Sequence, residues 1–405
     1  MSKKTLGYRL FGLTFTFFRL FPVKRNKAFL IATHDDGPEG NIAVMAETLR
    51  KKRPGIKLVY MTKKDRGRGP FSFFFVKAYH MATSSIILLD NVFMPMAFTP
   101  ISKKTTVIQL WHGTGTIKRF GLDADGEEVA RLARRGNKRI TWLTVNGERT
   151  RRQYATAFGL PPEKIRTTGL PRTDILFDTA GMEKRKRDFF REIRKRVKDP
   201  ETHRYVLYAP TFRDAETENP RLMLDVKRVL KELPEDVVLL LRFHPFVAER
   251  FREENLVNRD LTAEEARRVI DMSGYPGVTT LLSVADILVT DYSSIVFEYA
   301  ILKKPMVFYA YDLEDFEKNG RDFYEPYEEF VPGPVTRDED GLIRELMRLL
   351  AAGAGAGRSA GTAGSSAGET EEQARIEAFL QENYRRRDGR AAERVAQLAF
   401  RSENQ

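Results

Sequence analysis

The chain has 405 residues, 68 Lys+Arg against 56 Asp+Glu for a formal charge of +12, and no cysteine. This excludes a disulfide framework, thiolate chemistry and a Cys-type zinc site, and the length asks for two cores of about 150–200 residues each. The positive excess implies an anionic partner: a phosphate-rich substrate, an acidic membrane face or nucleic acid.

Residues 6–21, LGYRLFGLTFTFFRLF, lie between Lys3 and Lys4 on one side and Lys24, Arg25 and Lys27 on the other. Arg9 and Arg19 interrupt the run, which falls short of the ~20 apolar residues a spanning helix needs, and no small-x-small cleavage site follows it. Leu10, Phe11, Phe15 and Phe18 recur at helical spacing beside cations, the pattern of an amphipathic helix lying in the headgroups of an anionic leaflet. An ordinary core-packing helix is the other reading. Aromatics and cations mix again at Arg66, Arg68, Phe71, Phe73, Phe74, Phe75 and Lys77.

Apolar runs at residues 28–33, 57–62, 85–90, 106–110 and 142–146 read as strands with helical patterns between them. They predict an α/β unit with a doubly wound parallel sheet over residues 28–180, preceded by the amphipathic segment 1–27. The charge-dense residues 183–198 read as a solvated helix near the domain junction. Runs at 205–210, 237–243, 286–290 and 306–310 predict a second such sheet over residues 181–350. Residues 351–370, rich in Gly, Ala and Ser, read as a flexible linker, and 371–405 as a helical segment broken near Gly389.

His112 sits in QLWHGTGTIKRFG directly after a strand, where open α/β sheets present chemistry; a satisfied histidine in a tight turn is the alternative. His244 ends another strand in LLLRFHP. In the second half, Thr211 and Arg213, then His244, then Asp291, Ser293 and Ser294 follow three successive strands, so they share one sheet edge. Ser293 and Ser294 open a helix whose free N–H groups favour phosphate, although serines there also serve as simple caps. Glu298 lies one turn on from Ser294 and could accept from ribose hydroxyls or be a surface carboxylate. The DADGEE stretch from Asp123 lacks the spacing of a metal loop and reads as a solvated turn. His34, His80 and His203 show no ligand spacing and receive no role.

WHGT with Lys118, GLPRTD, YAPTFRD, RFHP and VTDYSSIVFEYA, in this order, resemble the CDP-glycerol glycerophosphotransferase family of teichoic acid synthesis. The resemblance runs from FRLFPVKRNK to about Pro332. It implies a GT-B-like fold, two doubly wound Rossmann-like domains facing a central cleft, with nucleotide on the second and acceptor on the first. The implied reaction moves glycerol phosphate from CDP-glycerol to a hydroxyl of a lipid-linked saccharide or polymer acceptor and releases CMP. The implied setting is a monotopic protein on the cytoplasmic face of the membrane, in contact with its anionic surface. His112 then resembles the family's catalytic base and His244 its phosphate-contacting histidine, while Arg213, Ser293 and Ser294 fall where the pyrophosphate is held. The same motifs supply Gly113, Thr114, Lys118, Arg172, Thr211, Arg242 and Asp291 as substrate-binding candidates. No metal or cofactor is implied, and no nucleic-acid motif is found. The family's frequent proline after HGT is replaced here by Gly115 and Thr116, which bears on acceptor fit. Compared with polymerases that carry an extra amino-terminal region the chain is short, which suggests a primase or compact transferase. A CDP-ribitol donor, a capsule polymer acceptor, a sugar-nucleotide transferase and a non-catalytic basic binder remain as alternatives.

Overall fold

Short β-branched and leucine runs bounded by turns become twelve parallel strands, six in each of two units. The computed structural model describes residues 3–211, 213, 221–257, 259–320, 322–355 and 371–401. Unit 1 is Met1–Asp178 with Glu382–Gln405, and unit 2 is Thr179–Gln381.

In unit 1 the strands are β1 (Lys24–Ala32), β2 (Lys57–Thr62), β3 (Ser84–Leu89), β4 (Thr106–Gln109), β5 (Trp142–Thr144) and β6 (Ile165–Arg166). They pair in the order β2-β1-β3-β4-β5-β6, with Leu30 of β1 beside Tyr60 on one flank and Leu88 on the other. The direction of winding reverses between β1 and β3, so a crevice forms outside their carboxyl ends. One face of the sheet, through Ala28, Leu30, Ile86, Leu88 and Ile108, packs on Ile42, Met45 and Leu49 of the helix Asn41–Lys52 and on Val395, Ala396 and Ala399 of the helix Ala391–Arg401. The expected helical segment 371–405 is thus divided between the units. Helix Glu371–Asn383 belongs almost wholly to unit 2, and after a break containing Gly389 (φ 63°) the last helix completes the core of unit 1. Both oxygens of Asp174 accept the first N–H groups of that helix, from Ala391 and Ala392 at 2.8 Å each.

The amino-terminal helix Lys3–Phe18 corrects one expectation. Phe11 and Phe15 are 0% and 1% exposed and belong to the core, where Phe11 meets Phe73 (centroids 4.9 Å apart) and Phe93 (5.5 Å). Gly12 lets the helix close on Phe98, whose backbone oxygen would stand 2.6 Å from a Cβ there. The apolar side chains left outside are Leu6, Leu10, Leu13 and Phe17, followed by Leu20 and Phe21 and joined by Phe71 and Phe75. The helix is apolar on more than one face, so spacing alone does not say which stripe the fold buries.

Unit 2 opens with the helix Thr179–Ile193, which buries Met182, Phe189 and Ile193. Its strands are β7 (Arg204–Ala209), β8 (Val237–Leu241), β9 (Val269–Asp271), β10 (Ile287–Thr290), β11 (Met306–Tyr309) and β12 (Val335–Thr336). Their order, β12-β11-β10-β7-β8-β9, is that of a dinucleotide-binding sheet, with its switch point between β7 and β10. Val206, Leu239, Leu241, Val289 and Val307 pack on Val229 and Leu230 of the helix Val226–Glu232 and on Leu342 and Leu346 of the helix Glu339–Gly355. That last helix includes residues 351–355 of the expected linker; its remainder, 356–370, lies outside the described residues.

Candidate active site

The predicted site residues fall into two groups, one at the switch point of each sheet. In unit 1, His34 follows β1, Asp90 follows β3 and His112 follows β4. Asp90 is 1% exposed, and its carboxylate accepts the backbone N–H groups of Thr33 (2.9 Å), His34 (3.1 Å) and Asp35 (2.9 Å). Burial raises its pKa, with those three bonds opposing. Its main-chain carbonyl meets His112 Nδ1 at 3.2 Å. A carbonyl oxygen can only accept, so Nδ1 carries the proton and Nε2 presents a lone pair. The half-buried His112 ring lies under His34, with centroids 3.6 Å apart and planes 12° from parallel. Burial, then His34, then Arg172 hold the His112 pKa well below the ordinary imidazole value, and the bond to Asp90 only partly offsets this. The ring is therefore neutral at neutral pH.

The loop that carries His112 is rigidly braced. Trp111 has φ 60°, a left-handed conformation that costs a bulky residue energy and persists only where the surroundings impose it. Its N–H donates to Gln109 Oε1 (2.9 Å), its carbonyl accepts from Asn41 Nδ2 (2.9 Å), and its ring stacks on Phe120 (5.2 Å). Tyr154 donates its hydroxyl to the Gly113 carbonyl at 2.9 Å, and Asn146 donates to the Thr114 carbonyl. Gly113 and Thr114 are buried, and Thr114 is 0% exposed, so they shape the loop that carries His112. Arg172 reaches the same loop from the turn Pro171–Phe177: its N–H donates to Asn41 Oδ1 (2.9 Å) and its Nη1 to the His112 carbonyl (3.3 Å). Lys118 stays half-buried at the end of the loop.

In unit 2 the switch point is tied by charge. Asp291, just past β10, accepts from Thr211 N just past β7 (2.8 Å), from Tyr292 N (2.6 Å) and from Arg213 Nη1 (3.0 Å). Arg213 also clamps Asp312, Nε to Oδ2 at 2.6 Å and Nη2 to Oδ1 at 2.8 Å, and gives Nη1 to the Thr211 carbonyl. Tyr292, Tyr311 and Phe316 surround the guanidinium, 4.9–5.2 Å from its Cζ. Burial opposes its charge, but Asp312 and Asp291 outweigh that and raise its pKa. The geometry therefore differs from the expected open fork for phosphate: Arg213 and Asp291 spend their hydrogen bonds on each other and on the strand ends. Arg242 likewise donates Nη1 to the carbonyls of Met272 (3.0 Å) and Tyr275 (2.9 Å), holding the loop after β9. Glu298 is 6% exposed, so it is neither a surface carboxylate nor open to solvent.

Further candidates stand past the strand ends of the same sheet. His244 precedes the helix Pro245–Glu253 and accepts the N–H groups of Val247 and Ala248 on its carbonyl, leaving its half-buried side chain at the sheet edge. It lines a cavity with Tyr208, Thr211, Phe243 and Tyr311. Thr211 Oγ1 is buried and lacks a hydrogen-bond partner among the described residues. Ser293 and Ser294 are half-buried at the start of the helix Ile295–Ile301; Ser293 Oγ accepts the N–H of Ile295 at 3.4 Å as a cap does, whereas Ser294 makes no side-chain cap bond. Phe212 and Asp214 of the YAPTFRD motif lie outside the described residues. Among the described residues no three His, Asp or Glu side chains are grouped to hold a metal.

His34 was missed by the sequence reading. It stands just beyond a strand, as His112 and His244 do, but nothing in the sequence says that β1 and β4 both flank β3.

A neutral imidazole base on one sheet edge, and a hydroxyl-bearing helix start and a histidine on another, are the parts of a nucleotide-dependent transferase. Residues 13–401 match the model of the CDP-Glycerol:Poly(glycerophosphate) glycerophosphotransferase family, and the chain belongs to that family. It is 33% identical to the teichoic acid poly(ribitol-phosphate) polymerase of Bacillus spizizenii over 347 residues, 84% of this chain and 54% of that one. The chain thus spans about half the length of that relative. It is 32% identical to the teichoic acid ribitol-phosphate polymerase TarK of Staphylococcus aureus, over 97% of this chain and 72% of TarK. The structure of the wall teichoic acid polymerase TagF superposes with a TM-score of 0.77 at 24% identity, covering 99% of this chain and 96% of that one, which shows a common fold. Relatives it matches in that family include teichoic acid polymerases and primases.

Proposed function

We propose that the chain transfers a polyol phosphate from a CDP-polyol to a hydroxyl of a lipid-linked acceptor, with the donor bound by unit 2 and the acceptor by unit 1. The observation that carries this is His112, whose Nδ1 proton is fixed on the Asp90 carbonyl so that Nε2 is left as a base. The acceptor oxygen forms a bond to the β-phosphorus as its proton passes to Nε2; the bond from that phosphorus to the bridging oxygen breaks and CMP leaves. Ser293, Ser294 and the helix start they occupy supply hydrogen bonds to the leaving phosphate, and His244 contributes from the end of β8 on the same sheet edge. Arg213 acts by holding Thr211 and Asp291 in place.

CDP-glycerol is the first reading for the donor, in keeping with the family's description and with the TagF structure soaked with CDPG. CDP-ribitol is the second, favoured by the two ribitol-phosphate polymerases at 33% and 32% identity. Purified protein with labelled CDP-glycerol or CDP-ribitol and a lipid-linked disaccharide separates them. One donor is expected to give product, as a single added unit for a primase or a ladder for a polymerase. Product from a UDP-sugar alone would overturn the reading.

Localisation follows as a proposal from the exposed apolar face. Leu13 is 70% and Leu20 81% exposed, beside Leu6, Leu10, Phe17 and Phe71 and among Lys3, Lys4, Arg9 and Arg19. None of the described helices is long and apolar enough to cross a membrane. The protein then sits peripherally on the cytoplasmic leaflet with these side chains in the headgroups. Leu13→Glu and Phe17→Glu are each expected to weaken flotation with phosphatidylglycerol vesicles by about tenfold or more, from about 1.5–3 kcal/mol per buried apolar side chain. Flotation unchanged in the double substitution would remove this face from membrane binding.

A further inference from the structure

The stack of His34 on His112 is unusual in being built from both sides by one residue. The Asp90 carboxylate takes the backbone N–H groups of Thr33, His34 and Asp35 and so fixes where the first ring starts; the Asp90 carbonyl takes His112 Nδ1 and fixes the tilt of the second. The two rings meet face to face at 3.6 Å. His34 is exposed and His112 half-buried, so His34 covers one face of the base on the solvent side.

His112 is held by its hydrogen bond at Nδ1 and by the tilted Trp111 ring (centroids 4.0 Å apart, 32°), and the flat His34 ring stacked on it at 3.6 Å removes the swing those two restraints leave. We propose that His34 is a positioning residue for His112: its stacked ring locks the plane of the base and fixes the direction of the Nε2 lone pair. The proposal rests on the reading of His112 as the base.

Charge supports the same arrangement. Two imidazolium rings at this separation repel, so the pair holds one proton far more readily than two. When His112 accepts the acceptor proton, a neutral His34 offers its π face to the new cation. The titratable and charged groups that face His112 are His34 after β1, Asp90 after β3 and Arg172 from the turn Pro171–Phe177. Asp35, next to His34, adds its own negative charge near Asp90.

The test compares His34→Ala with His34→Phe, which keeps a flat ring but cannot titrate. For His34→Ala, kcat is expected to fall about ten- to a hundredfold with the donor KM unchanged, the scale of a misdirected reacting group. His34→Phe is expected to keep kcat within about threefold and to move the acid limb of kcat/KM up by about one pH unit, because the repelling proton is gone. An activity-independent reading comes from ¹⁵N NMR of the histidine rings in the full chain, where the His112 titration should move up in both variants. Wild-type kcat together with an unmoved His112 titration in His34→Ala overturns the proposal, as does a His34→Phe enzyme as slow as His34→Ala. If no protein, wild type included, turned over any CDP-polyol while His112 still titrated according to residue 34, the transferase reading would fail and the positioning would stand.

Discussion

His112→Ala is expected to retain donor binding and the far-UV circular dichroism of the wild type while transferring polyol phosphate about a thousandfold more slowly, the usual scale for loss of a general base. The substitution removes the imidazole whose lone pair is fixed by its bond to the Asp90 carbonyl, and leaves the braces at Gln109, Asn41 and Tyr154 in place. A single-turnover assay with the preferred CDP-polyol gives the rate directly. A rate within about tenfold of wild type would assign the base elsewhere. The wild-type pH profile carries a second reading of the same residue. A lowered pKa means that His112 gains its proton only below the ordinary imidazole value of ~6.5, so kcat/KM should hold as pH falls through that value and decline only at lower pH.

The largest effect on stability is expected at Arg213. Arg213→Ala leaves the carboxylates of Asp291, 1% exposed, and Asp312 without their shared cation, and breaking a buried pair in this way costs about 3–5 kcal/mol. Arg213→Lys keeps the charge but cannot serve both carboxylates and the Thr211 carbonyl from one planar group, and should lose about 1–3 kcal/mol. Urea unfolding followed by circular dichroism measures both. Trp111 and Trp142, the two tryptophans, stand in unit 1, so a lowered dichroism transition beside an unmoved fluorescence transition would place the loss in unit 2. A loss below about 1 kcal/mol for Arg213→Ala would show that the network is no stronger than a surface pair.

Much of this architecture was legible in the sequence because parallel strands buried on both faces are written as continuous apolar runs, as in SSIILL of β3 and VVLLL of β8. The strands left unread, β6, β9 and β12, have two or three residues and stand at the edges of their sheets, where one-sided pairing demands no such run. At the site, the sequence placed Arg213, Arg242 and Asp291 at strand ends but not their bonding. A residue type does not reveal whether its donors are spent within the chain. Asp312 lies 99 positions beyond Arg213, and the Met272 and Tyr275 carbonyls that hold Arg242 come from a loop without a motif. His34 escaped for a related reason: its meaning depends on strand order, which two apolar runs do not encode. In the amino-terminal helix the spacing of Phe11 and Phe15 was read correctly as a stripe and assigned to the wrong solvent.

The final helix has a consequence for synthesis. Val395, Ala396 and Ala399 cover the same sheet face as Ile42, Met45 and Leu49, and Asp174 waits for the N–H groups of Ala391 and Ala392. On the ribosome, unit 1 therefore emerges first but acquires its last layer only after all of Thr179–Gln381 has been made. At about 5–20 residues per second, the gap is roughly tens of seconds. During that interval unit 2 can close its own core while the older half still shows bare Ala and Val contacts to its surroundings. The half translated first is the half finished last, and nascent chains stalled before residue 391 should be those that chaperones hold longest.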